Sequence, residues 1–338
     1  MEALLKSIDP YAVEPAEDAA APAQVIDHPS GYLALSPKNS RYAVAGLPGF
    51  IAYRERGKHL ILMGGVHAPA KFRHQLLQSF LGEAERRRRR VVAVQVREDQ
   101  TKLFCDCGFT VNQLGSSYGI TLSKFSLAGA RNMKLRHKIK RAREAGLRVL
   151  EAGWELPRDR ALFTQLEAVS EAWLRSKGKK ELDFMVGEIG DTSETERRIF
   201  VVVDERERIV GFITYVPAWG ERLGYLHDLT RRLPDAPAGA MELCNSFAVE
   251  RFIAERTPYL HFGFTPFIVD DGPRAFENRL VAFVMRMFGR FGGAIYPAQS
   301  QVSYKLKWRP DIIEREFIAC RPLSIRALID LLVLTQSV

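Results

Sequence analysis

The chain has 338 residues, of which 46% are hydrophobic and 26% charged, a composition typical of a folded globular protein of two domains or one duplicated unit. Its apolar runs fall short of the ~20 residues that a membrane helix needs, and its N-terminus lacks the charged-then-apolar order of a secretory signal. The formal net charge of +9 favours anionic partners. We therefore expect a cytoplasmic protein without a transmembrane segment that could still touch a membrane face.

The N-terminal part of the chain predicts a leader followed by one α/β unit. Residues 1–25 are rich in Ala, Pro and acids and predict a mobile leader. Residues 26–129 alternate between strand and helix patterns. The predicted elements are a hairpin over 41–54 and 58–66, a helix over 70–90, a strand over 91–96, a helix over 98–107 and a strand over 109–114.

Residues 151–338 repeat the same order of elements. The predicted elements are a helix over 158–176, strands over 199–203, 209–216 and 222–228, a helix over 240–256, a strand over 259–264, a helix over 275–291 and a strand over 303–308. Two successive units of hairpin, helix, strand, helix and strand predict two α/β domains of similar design. The sequence shows no repeat, so any duplication lies in the architecture alone.

A basic segment over 130–150 joins the two predicted units. Apolar residues at positions 135, 139, 142 and 146 follow helical spacing and predict an amphipathic helix. Residues 131–148 contain eight basic side chains and one acid, whereas a solvated helix face usually mixes both signs. We interpret this face as a polyanion-binding surface, with solvent or an acidic protein as the alternatives. Its candidate phosphate contacts are Arg131, Lys134, Lys138 and Arg141.

Two further segments carry candidate site residues. The stretch over 228–239 follows a predicted strand and leads into a helix, a position at which α/β units often expose functional groups. Within it, Asp228 and Arg231 could bind a zwitterionic substrate or form a salt bridge that fixes the loop. In the predicted strand over 303–308, Lys305 and Lys307 would share one face, which indicates either an anionic cleft or a protected sheet edge.

Several classes of site are not indicated. The four cysteines are too few and scattered for a disulfide framework, and neither they nor the seven histidines show metal-ligand spacing. The loops over 64–69 and 228–239 lack the glycine series that cradles a nucleotide or coenzyme A. We therefore expect reduced thiols, no metal and no bound cofactor.

Several motifs, taken in order, resemble the C-terminal catalytic domain of the bacterial phosphatidylglycerol lysyl/alanyl transferases. The matching segments are Phe50–Arg54, Phe125–Gly129 with Arg141–Gly146, Asp228–Arg232 with Ala236–Glu242, and Tyr296 with Tyr304–Pro310. The resemblance covers roughly residues 30–322. This sequence departs from the family at Thr230 and Trp308, where Met and Phe are common, and contains no counterpart of the multi-span membrane domain of the lipid-modifying members.

The resemblance implies two tandem GNAT-like acyltransferase folds, with the active site in the second and the basic helix between them binding tRNA. It implies an aminoacyltransferase that uses charged tRNA as its co-substrate and a lipid, phosphatidylglycerol or another, or a soluble amine as its acceptor. Asp228 and Arg231 would position the aminoacyl group and Glu242 would orient them. Lys305 and Lys307 would contact the tRNA end or the phosphate of the acceptor.

Three alternatives remain open from the sequence. The first is an acyl-coenzyme-A-dependent N-acyltransferase, which the missing glycine series disfavours. The second is a non-catalytic RNA-binding protein. The third is a peripheral protein whose basic helix lies on anionic lipid at the inner membrane face.

Overall fold

The computed structural model describes residues 22–177, 184, 187, 189–190, 194–270, 272, 274–291, 298–323 and 325–334. Residues 1–21 of the predicted leader lie outside this part of the chain, as does Tyr296 of the last motif. The remaining residues of the predicted leader form a short helix, α1 (Pro22–Val25).

The described strands form one continuous sheet. They are β1 (Ser40–Tyr42), β2 (Ile51–Arg56), β3 (His59–Met63), β4 (Arg90–Arg97), β5 (Thr110–Thr121), β6 (Arg148–Glu151), β7 (Arg198–Val203), β8 (Ile209–Ala218), β9 (Gly224–Arg232), β10 (Tyr259–Pro266) and β11 (Ile312–Arg321). Their order across the sheet is β1-β2-β3-β4-β11-β5-β10-β9-β8-β7-β6. The predicted mixed α/β fold class is confirmed.

Helices cover both faces of this sheet. After α1 they are α2 (Gly31–Ala34), α3 (Ala70–Arg86), α4 (Thr101–Asp106), α5 (Met133–Glu144), α6 (Arg160–Lys177), α7 (Ala240–Ala254), α8 (Arg279–Phe291), α9 (Ala298–Leu306) and α10 (Ile325–Leu334). The large apolar residues of α3 recur at helical spacing, and all but the half-buried Phe72 are buried: Leu76, Leu77, Phe80 and Leu81. Among the described helices, none is long and apolar enough to cross a lipid bilayer.

The two halves of the sheet repeat one connection and exchange one strand. In the first half α3 connects the parallel strands β3 and β4, and in the second α7 connects the parallel strands β9 and β10. The strand that follows β4 in the chain, β5, pairs with β10, while the strand that follows β10, β11, pairs with β4. β5 and β11 also pair with each other. The division into units over 26–129 and 151–338 stays a prediction, and the last strand of each half lies beside the other half.

Three predicted boundaries around the candidate site are wrong. The basic helix does not extend over 130–150, because it ends at Glu144, the chain turns at Gly146 with a φ of 74°, and β6 begins at Arg148. The stretch over 228–239 is not all loop, because β9 continues to Arg232. Residues 303–308 are not a strand, because they form the end of α9 and the following turn.

Alternating side chains in the second half define two faces of the sheet. On β7, Phe200 and Val202 pack with α5 and α7, whereas Val201 and Val203 pack with α6. We call these the α7 face and the α6 face. The alternation follows from the two-residue period of a strand, and buried β-branched residues supply the packing on both faces.

Candidate functional site

The basic segment presents its charge on the outer side of α5. A single 3-10 turn at Ala130–Asn132 precedes the helix. The predicted seam of Leu135, Ile139 and Ala142 is buried in the core of the α7 face. The exposed basic side chains are Arg131, Lys134, Lys138, Lys140, Arg141 and Arg143. In the part of the chain that the structure describes, Lys134 and Arg141 form no ion pair, so their charges are available to a polyanion.

The N-terminus of α7 lies directly against the backbone of α5. Gly239 precedes α7 with a φ of 95°, and a Cβ at this position would collide with the backbone oxygen of Lys138. A glycine is required here because the conformation is left-handed and the space is filled. The close approach brings Glu242, in the first turn of α7, beside the basic helix.

Glu242 joins two of the predicted basic residues. Its Oε1 accepts hydrogen bonds from Lys138 Nζ and Lys307 Nζ, each at 3.0 Å. Burial would raise the pKa of Glu242, but the two ammonium groups outweigh it and lower the pKa below its usual value. The carboxylate side chain is 9% exposed, whereas Lys138 and Lys307 are 48% and 36% exposed. The trio therefore connects the basic surface to the protein interior with a net positive charge.

Lys305 lies inside the protein rather than beside Lys307. Its Nζ donates to Gly263 O and Thr265 Oγ1, both at 2.8 Å, and to Phe264 O at 3.0 Å. Burial lowers the pKa of Lys305 to about 7. The expected dibasic face does not exist because the two lysines are not on a strand, and in this arrangement Lys305 offers no charge to an outside phosphate.

A cluster of buried polar atoms lies next to the Glu242 trio, where Lys307 Nζ is 5.3 Å from the centroid of the Tyr304 ring. Four buried side-chain atoms form no hydrogen bond of ordinary geometry among the described residues: His227 Nδ1, Asn245 Nδ2, Tyr304 Oη and Trp308 Nε1. They interact in two pairs, His227 with Asn245 and Tyr304 with Trp308. We call these residues the polar cluster. The His227 and Tyr304 rings lie 6.0 Å apart and the Tyr304 and Trp308 rings 6.4 Å apart, centroid to centroid.

Asn245, the fourth residue of the polar cluster, is held by Tyr215. The Tyr215 hydroxyl donates to Asn245 Oδ1 at 2.5 Å, and the Tyr215 ring lies 5.2 Å from that of His227. Each buried polar group without a partner costs about 1–3 kcal/mol. Several such groups in one place are typical of a site that is completed by a ligand.

His227 enters this cluster as a neutral imidazole. Burial, together with the charge of Lys305, lowers the pKa of His227 to about 3. Its Nε2 lies 2.6 Å from Thr230 Oγ1, which leaves Nδ1 facing the cluster. A neutral ring can donate or accept one hydrogen bond at this position but carries no charge at neutral pH.

Asp228 lies on the α6 face, away from the polar cluster. One extra residue in β9 between His227 and Thr230, opposite Thr214, shifts the register and brings Asp228 and Arg231 to the same face. The direct charged partner of Asp228 is nevertheless Arg197, whose Nη1 lies 2.6 Å from Oδ2. Burial raises the pKa of Asp228 although the guanidinium of Arg197 opposes this shift.

Arg231 is held by α6. Its guanidinium lies 4.4 Å from the ring centroid of Trp173, and its Nε donates to Ser170 Oγ at 3.3 Å. The structure thus brings Glu242 together with Lys138 and Lys307, and places Asp228 and Arg231 on the other face of the sheet. The expectation that Glu242 orients Asp228 and Arg231 is not met, because Glu242 is bound by the two lysines.

The sequence reasoning missed Arg197 and the whole polar cluster. Arg197 lies 31 positions before Asp228, so no local pattern connects them. In a strand over 303–308, Tyr304 and Trp308 would lie on the apolar face opposite the two lysines, yet their spacing of four residues is also that of one helix face. His227 directly precedes Asp228, and no local pattern distinguishes it from the other six histidines.

The fold is mixed α/β with one large shared sheet, and its site combines a cationic helix with buried polar groups. Residues 19–320 match the family described as phosphatidylglycerol lysyltransferase, C-terminal, and the chain belongs to this family. The order of the motifs predicted this family.

Relatives and solved structures agree with this assignment. Phosphatidylglycerol lysyltransferase of Staphylococcus xylosus is 26% identical over 267 residues, which are 77% of this chain and 30% of that protein. The chain therefore spans about a third of the length of this curated relative. L-PGS from Bacillus licheniformis has a TM-score of 0.72 at 22% identity, covering 90% of this chain and 91% of that one. The C-terminal domain of a putative lysylphosphatidylglycerol synthetase from Agrobacterium fabrum has a TM-score of 0.76 at 19% identity, covering 92% and 93%.

Proposed function

We propose that the protein is an aminoacyltransferase that moves an amino acid from charged tRNA to phosphatidylglycerol or another polar lipid at the cytoplasmic face of a membrane. The observation that carries the proposal is the continuity between the exposed bases of α5 and the buried polar cluster through Lys138, Glu242 and Lys307. The names of the relatives support the lipid acceptor. No resident cofactor or metal is required, since an aminoacyl ester is already activated.

The basic helix would bind the acceptor end of the tRNA. Arg131, Lys134 and Arg141 would contact backbone phosphates, and Lys138 would extend this contact toward Glu242. Lysine and arginine together suit phosphates that approach at different angles. Binding by these residues should weaken steeply with salt, because counterions are released from the nucleic acid.

The polar cluster would hold the reacting ester. The acceptor hydroxyl attacks the ester carbonyl, and the ribose oxygen of the tRNA leaves with the proton of the hydroxyl. Asn245 Nδ2, Tyr304 Oη and Trp308 Nε1 are donors that could stabilise the developing oxyanion. Asp228 and Arg231, on the α6 face, remain candidates for binding the amino group and a second polar group of the substrate.

The proposal is tested by incubating the protein with tRNAs that carry labelled amino acids and with phosphatidylglycerol vesicles. We expect label in the chloroform phase with one or a few amino acids. An arm with acetyl-coenzyme A and the same vesicles separates the N-acyltransferase alternative. If no charged tRNA loses label to lipid or to any component of a cell metabolite extract, the proposed function is wrong.

Two variants test the site within this assay. Tyr304→Phe removes a hydroxyl that forms no hydrogen bond of ordinary geometry among the described residues and interacts only with Trp308 of the polar cluster, so it should lower transfer at least tenfold with little change in the thermal midpoint. Lys134→Glu with Arg141→Glu should abolish transfer and tRNA binding, whereas Arg56→Glu with Lys58→Glu, an equal charge change in the exposed β2–β3 turn, should not. Unchanged transfer in both site variants would place the site elsewhere.

A further inference from the structure

Helix α8 presents an apolar stripe to solvent. Leu280, Phe283 and Met287 are 72%, 54% and 41% exposed and lie on one side of the helix. We call these three residues the α8 stripe.

The packing of α8 against the rest of the protein fixes its orientation, so the exposure of the α8 stripe follows from the fold. The opposite side of the helix is packed, with Ala282 and Met285 buried and Gly289 against the backbone oxygen of Phe267. At the start of the helix, Asn112 Nδ2 donates to Asn278 O at 3.0 Å. The helix therefore has one side packed on the sheet and the α8 stripe facing away from it.

A row of arginines borders the stripe. Arg279, Arg286 and Arg290 follow spacings of seven and four residues and so share one side of the helix, next to the apolar residues. Residues 279–291 contain no acidic side chain. A helix with an apolar side bordered by arginines has the pattern of one that lies in the interface of an anionic bilayer.

We propose that α8 docks the protein on the surface of an anionic phospholipid bilayer, with the α8 stripe in the acyl-chain boundary and the arginines at the level of the phosphates. A soluble protein partner would have to cover the same stripe with complementary acids, whereas a lipid surface supplies both chemistries at once. The proposal deepens the proposed function and rests on it for its purpose, which is to bring the lipid acceptor to the enzyme.

The test is vesicle flotation of the full chain at low salt without tRNA. Vesicles of phosphatidylglycerol and phosphatidylcholine are compared with vesicles of phosphatidylcholine alone. We expect binding to the anionic vesicles and at least tenfold weaker binding of Leu280→Ser with Phe283→Ser. A matched control, Leu223→Ser with Ile313→Ser, removes two apolar residues outside α8 that are more than half exposed and should bind as the unaltered chain does.

Three results would overturn the proposal. The first is no binding of the unaltered chain to anionic vesicles. The second is that the α8 variant binds vesicles as the unaltered chain does, while the double variant Lys134→Glu with Arg141→Glu no longer binds them, which would place the lipid contact on α5. The third is a dimer in sedimentation that the α8 variant converts to monomer, with no effect on vesicle binding. Because no charged tRNA is present, failure here is distinct from failure of the transfer assay.

Discussion

Replacing Glu242 by Gln removes the charge that two lysines share while leaving the shape of the side chain. A charge-assisted hydrogen bond contributes about 1.5–3 kcal/mol when buried, and an exposed ion pair about 0–1 kcal/mol. Glu242 is 9% exposed, but both ammonium groups reach water. We therefore expect Glu242→Gln to lower the free energy of unfolding by about 1–2 kcal/mol at pH 7.

The pH dependence of this loss follows from the lowered pKa of Glu242. A carboxyl whose pKa is lower in the folded state stabilises the protein above its unfolded pKa of about 4.3, and this stabilisation is lost as the pH falls through the folded value. The difference between Glu242→Gln and the unaltered chain should thus be complete at pH 7 and shrink below about pH 4.

Urea unfolding followed by tryptophan fluorescence measures this difference. Glu250→Gln, on the same helix, is the matched control, because its carboxylate accepts a hydrogen bond only from Ser246 among the described residues and should change stability little. Equal stability of Glu242→Gln and the unaltered chain at pH 7, or a difference that does not change with pH, would refute the role assigned to the two lysines.

Three further predictions concern the surroundings of the site. Burial lowers the pKa of Lys305 to about 7, so above that pH the unfolded chain binds one more proton than the folded chain. The free energy of unfolding should therefore rise between pH 7 and 10, by at most about 1.4 kcal/mol per pH unit. If the pH profiles of urea unfolding for Lys305→Met and the unaltered chain run parallel, this prediction is wrong. Asp228→Asn should cost about 3 kcal/mol in urea unfolding, since it leaves the buried Arg197 guanidinium without its closest carboxylate, whereas Asp235→Asn, at an exposed pair with Arg208, should cost under about 1 kcal/mol. Gly239→Ala should lower the thermal midpoint more than Gly153→Ala, because both positions have positive φ but only the first lacks space for a Cβ; equal shifts would show that the approach of α7 to α5 is not tight.

Elements with a long apolar period could be predicted from the sequence. The seam of Leu135, Ile139 and Ala142 and the buried face of α3 follow from spacing alone, because several helical turns must agree. The parallel strands joined by α3 and α7 also follow from the order of the patterns. The family could be recognised for a related reason, since its motifs occur in a fixed order even where each one is diffuse.

The centre of the sheet could not be predicted in this way. In β11 only Phe317–Cys320 form an apolar run, and the preceding residues mix charge with apolar side chains. Its strand conformation depends on pairing with β4 and β5, which lie about two hundred positions earlier in the chain. Such long-range pairing leaves no local pattern, so the exchange of β5 and β11 between the halves becomes visible only in the fold.

The candidate site depends on whether residues 303–308 form a strand or a helix, and a segment of six residues is too short for its pattern to decide this. Residues 303–308 alternate in a way that suits a strand, yet the spacing of Tyr304 and Trp308 equally suits a helix. As a strand, the segment would place Lys305 and Lys307 side by side. Because the segment ends α9 instead, Lys305 lies in the interior, Lys307 contacts Glu242, and Tyr304 and Trp308 join the polar cluster. The helical conformation therefore creates the site proposed for the aminoacyl ester, and Tyr304→Phe tests that consequence directly.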